Sequence, residues 1–480
     1  MGTDHSFAAV MARKSDIMKT SVGIDYARYA TGRIGFDYER MMAEVPYDLE
    51  AVRRIQAETC VGSTPLVECR NITRLIRKLA PAGKGARLFI KDEAANPSGS
   101  FKDRRAALSV YHAVRMGYPG IAAATSGNYG AGVACQAAKR GLRCIIVQEV
   151  FDSTGLQQPE ITEKSRACEA AGAEVLRLSV GPELFYQFLR VLEETGFFNA
   201  SLYTPYSIAG IETLGWEIGR HFLDTEGRAP DAVVVSHAGG GNITGTARGL
   251  QKAGCGTTQV IAASVDLRGL HMASDHDFNR KSFTTAHTGF GVPFSTFPDR
   301  SDVPRNAARP LRYMDRYVTV TQGEVFFATE MLAQLEGLER GPAGNTSLAA
   351  AFVLAQEMDR DQVIVVQETE YTGAGKHPWS QLGLAKCMGI EVRAGDPRDN
   401  EPGRRIVIPE HPAQMRVCDI ALDDLRRSYL KNVRASSDPA ELTSEDYRFL
   451  ATDIRATEEF VRTELSRLAR KEEAHESAAT

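Results

Sequence analysis

The chain has 480 residues, 43% of them hydrophobic and 25% charged, with a formal net charge of −4 at pH 7. That length permits two or more domains around a large core. The mild acidity gives no footprint for nucleic acid, and no apolar run reaches the length needed to span a membrane.

Residues 1–60 are mixed and charged, predict helix over 47–59 and carry no recognisable site. The turn from Gly62 to Leu66 opens a body in which strand and helix signals alternate. Strands are predicted at 88–91, 120–124, 142–147, 174–178, 232–235, 259–265 and 362–366, and helices at 102–116, 128–139 and 164–171. The strands are unbroken apolar runs, so both faces are expected to be buried, as in a parallel sheet covered by helices. The class is therefore α/β. Past Pro397 the chain is rich in Pro, Asp, Glu and Arg as far as Pro412, which reads as a linker or wrapping arm. Thr443 or Ser444 can cap a final helix whose apolar face carries Leu450, Ile454, Val461, Leu465 and Leu468. Residues 471–480 are expected to be disordered.

Four motifs carry chemistry. In Asn96-Pro97-Ser98-Gly99-Ser100-Phe101-Lys102-Asp103-Arg104, a lysine follows an aromatic residue and a Ser/Gly turn at the start of a predicted helix. A lysine that forms an imine must lose its proton, and a dry pocket at a helix N-terminus favours that. Thr125-Ser126-Gly127-Asn128-Tyr129-Gly130 follows a strand, and its amides and hydroxyls suit a carboxylate. Ser236-His237-Ala238-Gly239-Gly240-Gly241-Asn242 also follows a strand, where successive glycines let amides converge on an anion. Glu370-Tyr371-Thr372-Gly373-Ala374-Gly375-Lys376 follows the last apolar strand. Taken singly, the first two of these are also plain helix-capping turns, and a glycine-rich loop is weak evidence by itself. His237 reads equally as a proton shuttle or a packed histidine, and Arg104 and Arg105 as solvated helix residues or as cations facing a substrate anion. His271, His276 and His287 are too widely spaced for a helical metal motif, and the eight cysteines include no CxxC pair, so no metal site is expected. Free thiols in a reducing cytoplasm are the expectation, since the first residues carry no secretory pattern.

Together the four motifs resemble those of fold-type II pyridoxal 5′-phosphate (PLP) enzymes, the threonine synthase and tryptophan synthase β group, over residues 60–395. The resemblance implies two α/β domains with mostly parallel open sheets and PLP in the cleft between them. A large PLP-binding domain would comprise 61–105 and 205–395, and a small one 106–204. An N-terminal extension, 1–60, and a C-terminal arm and helix, 396–480, would flank them. It further implies that Lys102 is the catalytic residue and binds PLP as an aldimine. Asn128 would meet the ring's phenolic oxygen, Ala238, Gly239, Gly240, Gly241 and Asn242 the phosphate, and Thr372 the pyridine nitrogen. Thr125, Ser126, Gly127 and Tyr129 would hold the substrate carboxylate.

The chain departs from threonine synthases at Tyr129, where Thr is usual, and in its two terminal extensions. Together with the runs from Lys91 to Lys102 and from Glu368 to Pro378, those departures resemble the β subunits of 2-amino-4-oxopentanoate (2-amino-4-ketopentanoate) thiolases. This implies cleavage of 2-amino-4-oxopentanoate with coenzyme A as co-substrate to acetyl-CoA and alanine, or the reverse condensation, through an external aldimine and a Cβ carbanion. It also implies a place in ornithine degradation and a small α subunit, on a homodimer core or in an αβ hetero-oligomer. Two other readings stand beside it: a threonine synthase-like replacement or elimination on an amino acid, and a non-catalytic subunit of the same fold.

Overall fold

The computed structural model describes residues 4–125, 127–152, 155–181, 183–270, 281–285, 295–300, 302–371 and 377–479, with backbone alone for 300, 377 and 471–479. Thirteen strands are found among them. In chain order these are β1 Leu66–Glu68, β2 Arg87–Asp92, β3 Gly120–Thr125, β4 Arg143–Phe151, β5 Glu174–Ser179, β6 Phe198–Asn199, β7 Ala232–Ser236, β8 Gln259–Val265, β9 Arg316–Val320, β10 Val363–Glu368, β11 Glu391–Gly395, β12 Arg405–Pro409 and β13 Cys418–Asp419.

Seven strands form one sheet in the order β1-β2-β10-β7-β8-β9-β13. The five central strands are parallel, and β1 and β13 close the edges antiparallel. A second, all-parallel sheet runs β5-β4-β3-β6. Val233 to Val235 and Val363 to Val366 are fully buried, as unbroken Val/Ile runs require when helices cover both faces. Helix Pro342–Glu357 packs across β7, β8 and β10. Helix Pro205–Glu226 packs against both Lys102–Arg115 and Gly241–Lys252. The approach is backbone to backbone: a Cβ on Gly215 would lie 2.0 Å from the Thr246 carbonyl oxygen, and one on Gly210 2.4 Å from that of Arg104.

Three expectations at the C-terminal end are corrected. Residues 397–412 are not a bare arm: β12 pairs parallel with β11, and just beyond them β13 joins the large sheet. The apolar stripe from Leu450 to Leu468 is split between two helices, Ser444–Asp453 and Glu458–Ala479. The break falls where Asp453 is drawn inward by Arg309 and Arg312 and Arg455 takes a φ of 51°. The second helix runs on to Ala479 through residues expected to be disordered. Thr443 caps the first, accepting from the Asp446 amide while the Asp446 carboxylate accepts from the Thr443 amide.

Candidate active site

In an open parallel sheet, ligands sit at the carboxyl ends of strands where the strand order reverses. The large sheet steps outward from β7 to β8 to β9, and β10 returns on the other side of β7. The small sheet steps from β3 to β4 to β5, with β6 on the other side of β3. The segments leaving β7, β10, β3 and β6 all line one cavity of about 640 Å³. Lys102, Thr125, Gly127, Asn128, Tyr129 and all of Ala238 to Asn242 face it. Ser126 and Thr372 lie outside the described residues. So do His271, His276 and His287.

Lys102 is the first residue of helix Lys102–Arg115. The turn before it is closed from both sides. Asp103 accepts from the Ser98 amide at 2.6 Å and from Gln136 at 2.8 Å. The Phe101 amide donates to the Thr369 carbonyl at 3.0 Å, and the Tyr371 amide to the Gly99 carbonyl at 2.8 Å. The lysine turn is thereby stitched to the chain leaving β10. Nζ of Lys102 stands 4.2 Å from the Phe101 ring centroid, and no salt bridge reaches it among the described residues. Burial, followed by the nearby charges of Arg105 and Lys164, pushes its pKa well below that of an ordinary lysine. That shift favours the free amine over the ammonium.

The Thr125 hydroxyl accepts from the Gly127 amide at 3.0 Å and folds the loop onto helix Asn128–Lys139. Tyr129 donates its hydroxyl to the Ala200 carbonyl at 2.5 Å. Its side chain is committed to the core, and the cavity meets the amide end of its helix. On the opposite wall, Gly240 caps helix Gly241–Lys252 with a φ of 85°, and a Cβ there would lie 2.5 Å from Pro310 Cγ. Only glycine fits that turn. Asn242 is 7% exposed, and neither polar atom of its side chain has a partner among the described residues.

Arg104 and Arg105 are both buried, which excludes a solvated role for either. Arg104 is a strut. It pairs with Glu93 and Glu217 and donates to Thr213 and Thr64. Arg105 lines the cavity. His237 is 2% exposed, edge-on to Tyr317, and burial lowers its pKa to about 4, so it is neutral near pH 7. Glu149, Thr285 and Glu370 also line the cavity, as do Phe7, Met11, Leu184 and Phe185 on its apolar side. Of these only Glu370 falls in one of the four motifs; Phe7 lies in an N-terminal segment without motifs and arrives by packing on Tyr186.

A lysine amine with a lowered pKa, an amide-lined glycine turn and an unpartnered buried carboxamide fit an aldehyde that carries a phosphate. The chain belongs to the pyridoxal-phosphate-dependent enzymes: the family so described matches residues 57–370. It is 61% identical over 468 residues to a 2-amino-4-ketopentanoate thiolase beta subunit of Acetoanaerobium sticklandii, covering 98% of this chain and 100% of that protein. It is 28% identical over 295 residues to a threonine synthase of Halalkalibacterium halodurans, covering 60% of this chain and 75% of that one. The fold is also that of a pyridoxal 5′-phosphate-dependent aspartate racemase, with a TM-score of 0.54 at 17% identity over 70% of this chain and 98% of that chain. Among the described residues no His/Cys/Asp/Glu cluster could hold a metal, and no helix is long and apolar enough to cross a membrane.

Proposed function

We propose that this chain is the PLP-bearing β subunit of a thiolase that cleaves 2-amino-4-oxopentanoate with coenzyme A to acetyl-CoA and alanine, or runs the reverse condensation. The observation that carries the reading is 61% identity along the whole of a protein so named, over a fold that ends in a lysine-lined cavity. Bound PLP supplies an electron sink beside the substrate's Cα. Lys102, whose pKa is lowered by burial, is the base that takes the Cα proton. The loop of Thr125, Ser126, Gly127 and Tyr129 holds the substrate carboxylate at a helix amide end. Asn128 and Thr372 hold the cofactor ring, and Ala238 to Asn242 its phosphate. The apolar side formed by Phe7, Met11, Leu184 and Phe185 gives the thiol arm of coenzyme A a dry approach to the substrate ketone.

The relatives' designation as beta subunits supports a small α subunit, on a homodimer core or in an αβ hetero-oligomer. Eight free cysteines support work in the reducing cytoplasm. Residues 61–105 with 205–395 make the larger domain and 106–204 the smaller. This division is supported by the four-stranded sheet, whose strands all lie between Gly120 and Asn199. The test is an assay of the purified chain, with and without its small partner, on 2-amino-4-oxopentanoate and coenzyme A. Formation of acetyl-CoA is expected. Phosphate release from O-phosphohomoserine without acetyl-CoA would instead make the chain a threonine synthase.

A further inference from the structure

Helical residues three apart share a face, so Arg105 looks into the same cavity as Lys102. It is 3% exposed. Its neighbour Arg104 and the equally buried Arg309 are each paired with two carboxylates. Arg105 has none among the described residues. Its one hydrogen bond there is a long one, 3.3 Å, from Nη1 to the Leu202 carbonyl, and Nε has no partner. A buried guanidinium without a counter-charge is costly, so a group of opposite charge is expected against it.

The position of that guanidinium says which ligand. It lies against Gly241, the first residue of the twelve-residue helix Gly241–Lys252. A Cβ on Gly241 would stand 2.7 Å from Nη2 and 3.0 Å from Nη1. A side chain at 241 would therefore occupy the space between the helix's amide end and the guanidinium. Asn242, next in sequence, has an unpartnered, buried carboxamide and lines the same cavity. A planar fork of donors thus faces a set of backbone donors across a glycine, an arrangement suited to an oxyanion with several acceptor oxygens.

We infer that Arg105 is a ligand of the cofactor's phosphate, closing on it from the side opposite the glycine turn. One helix then carries both the lysine that takes the aldehyde and the arginine that takes the phosphate. This rests on the cofactor assignment and not on the thiolase reaction.

The experiment titrates apoprotein with PLP and with pyridoxal, which lacks the phosphate, in the wild type, Arg105→Gln and Arg105→Lys. Absorbance reports binding, and thermal midpoints of the apo forms report folding. Arg105→Gln is expected to weaken PLP by roughly 10- to 100-fold, the size of a lost charge-assisted contact, and to leave pyridoxal unchanged. Arg105→Lys should fall between. Apo Arg105→Gln should melt no lower than the wild type, because no ion pair is lost. Inorganic phosphate should raise the midpoint of the wild-type apoprotein and not that of Arg105→Gln. Unchanged PLP affinity in Arg105→Gln overturns the inference. So does an equal loss for PLP and pyridoxal, or intact PLP affinity with a raised KM for the amino acid, which would assign Arg105 to the substrate carboxylate. A wild type that binds neither compound would instead refute the cofactor assignment.

Discussion

Arg104→Ala should be among the most damaging single changes in the chain, although Arg104 touches no ligand. Its side chain is fully buried and joins Glu93 (0% exposed) to Glu217 (12% exposed) on helix Pro205–Glu226. Five donor contacts to these two carboxylates and to Thr213 and Thr64 are lost, along with a sixth to Glu217. Removing one partner of a buried ion pair costs about 3–5 kcal/mol, because the surviving charge is stranded. Lys91 still holds Glu217 at 2.7 Å, but nothing replaces Arg104 at Glu93 as a charge partner among the described residues. Arg104→Lys should recover only part of this, since one ammonium cannot fork between two carboxylates. Burial alone would raise the Glu217 pKa, but Arg104 and then Lys91 outweigh it and hold the carboxyl well below its usual range. That contribution is complete above the unfolded value of 4.5 and is lost as pH falls below it, so the deficit of the variant should shrink in acid. The assay is urea unfolding of the apoproteins, with Glu217→Gln and the double variant to isolate the coupling. A deficit under about 1 kcal/mol, the scale of a surface pair, would refute the reasoning.

Two further outcomes are expected. Gly240→Ala forces a side chain into a left-handed turn against Pro310 and should cost about 1–2 kcal/mol, with weaker PLP retention measured by dialysis and absorbance. Glu368 is fully buried, with neither carboxylate oxygen hydrogen-bonded among the described residues. Burial first, then Glu370 and Asp92, push its pKa well above 4.5. The folded chain therefore binds a proton the unfolded chain has released, and stability is lost as pH rises above 4.5. Glu368→Gln should melt higher than wild type at pH 8, with the gain vanishing near pH 4, as thermal scans across pH would record.

Much of the fold was legible because its signals are local. The helix Asn128–Lys139 and the strand Gln259–Val265 coincide with their predicted bounds, each beginning or ending at a glycine, a cap or a change of periodicity. The lysine turn and the glycine turn were legible for the same reason. What was not legible depends on distant partners. Arg104 and Arg105 are adjacent and alike in sequence, and only the packing of helix Pro205–Glu226 decides that one becomes a strut and the other faces the cavity. Phe7 and Met11 reach the site through the helix Glu183–Thr195, far along the chain. The strand Arg405–Pro409 was hidden by flanking charge and proline, and it forms only because Glu391–Gly395 offers it a parallel edge.

The most direct measurement is to load the protein with PLP, reduce it with borohydride to fix the cofactor to the lysine it is joined to, and map the labelled peptide. The label is predicted on Lys102 alone, with Lys102→Ala losing both the label and the cofactor's visible absorbance. Label on Lys91, Lys164 or Lys281, three deeply buried lysines, or no label at all, would contradict the account.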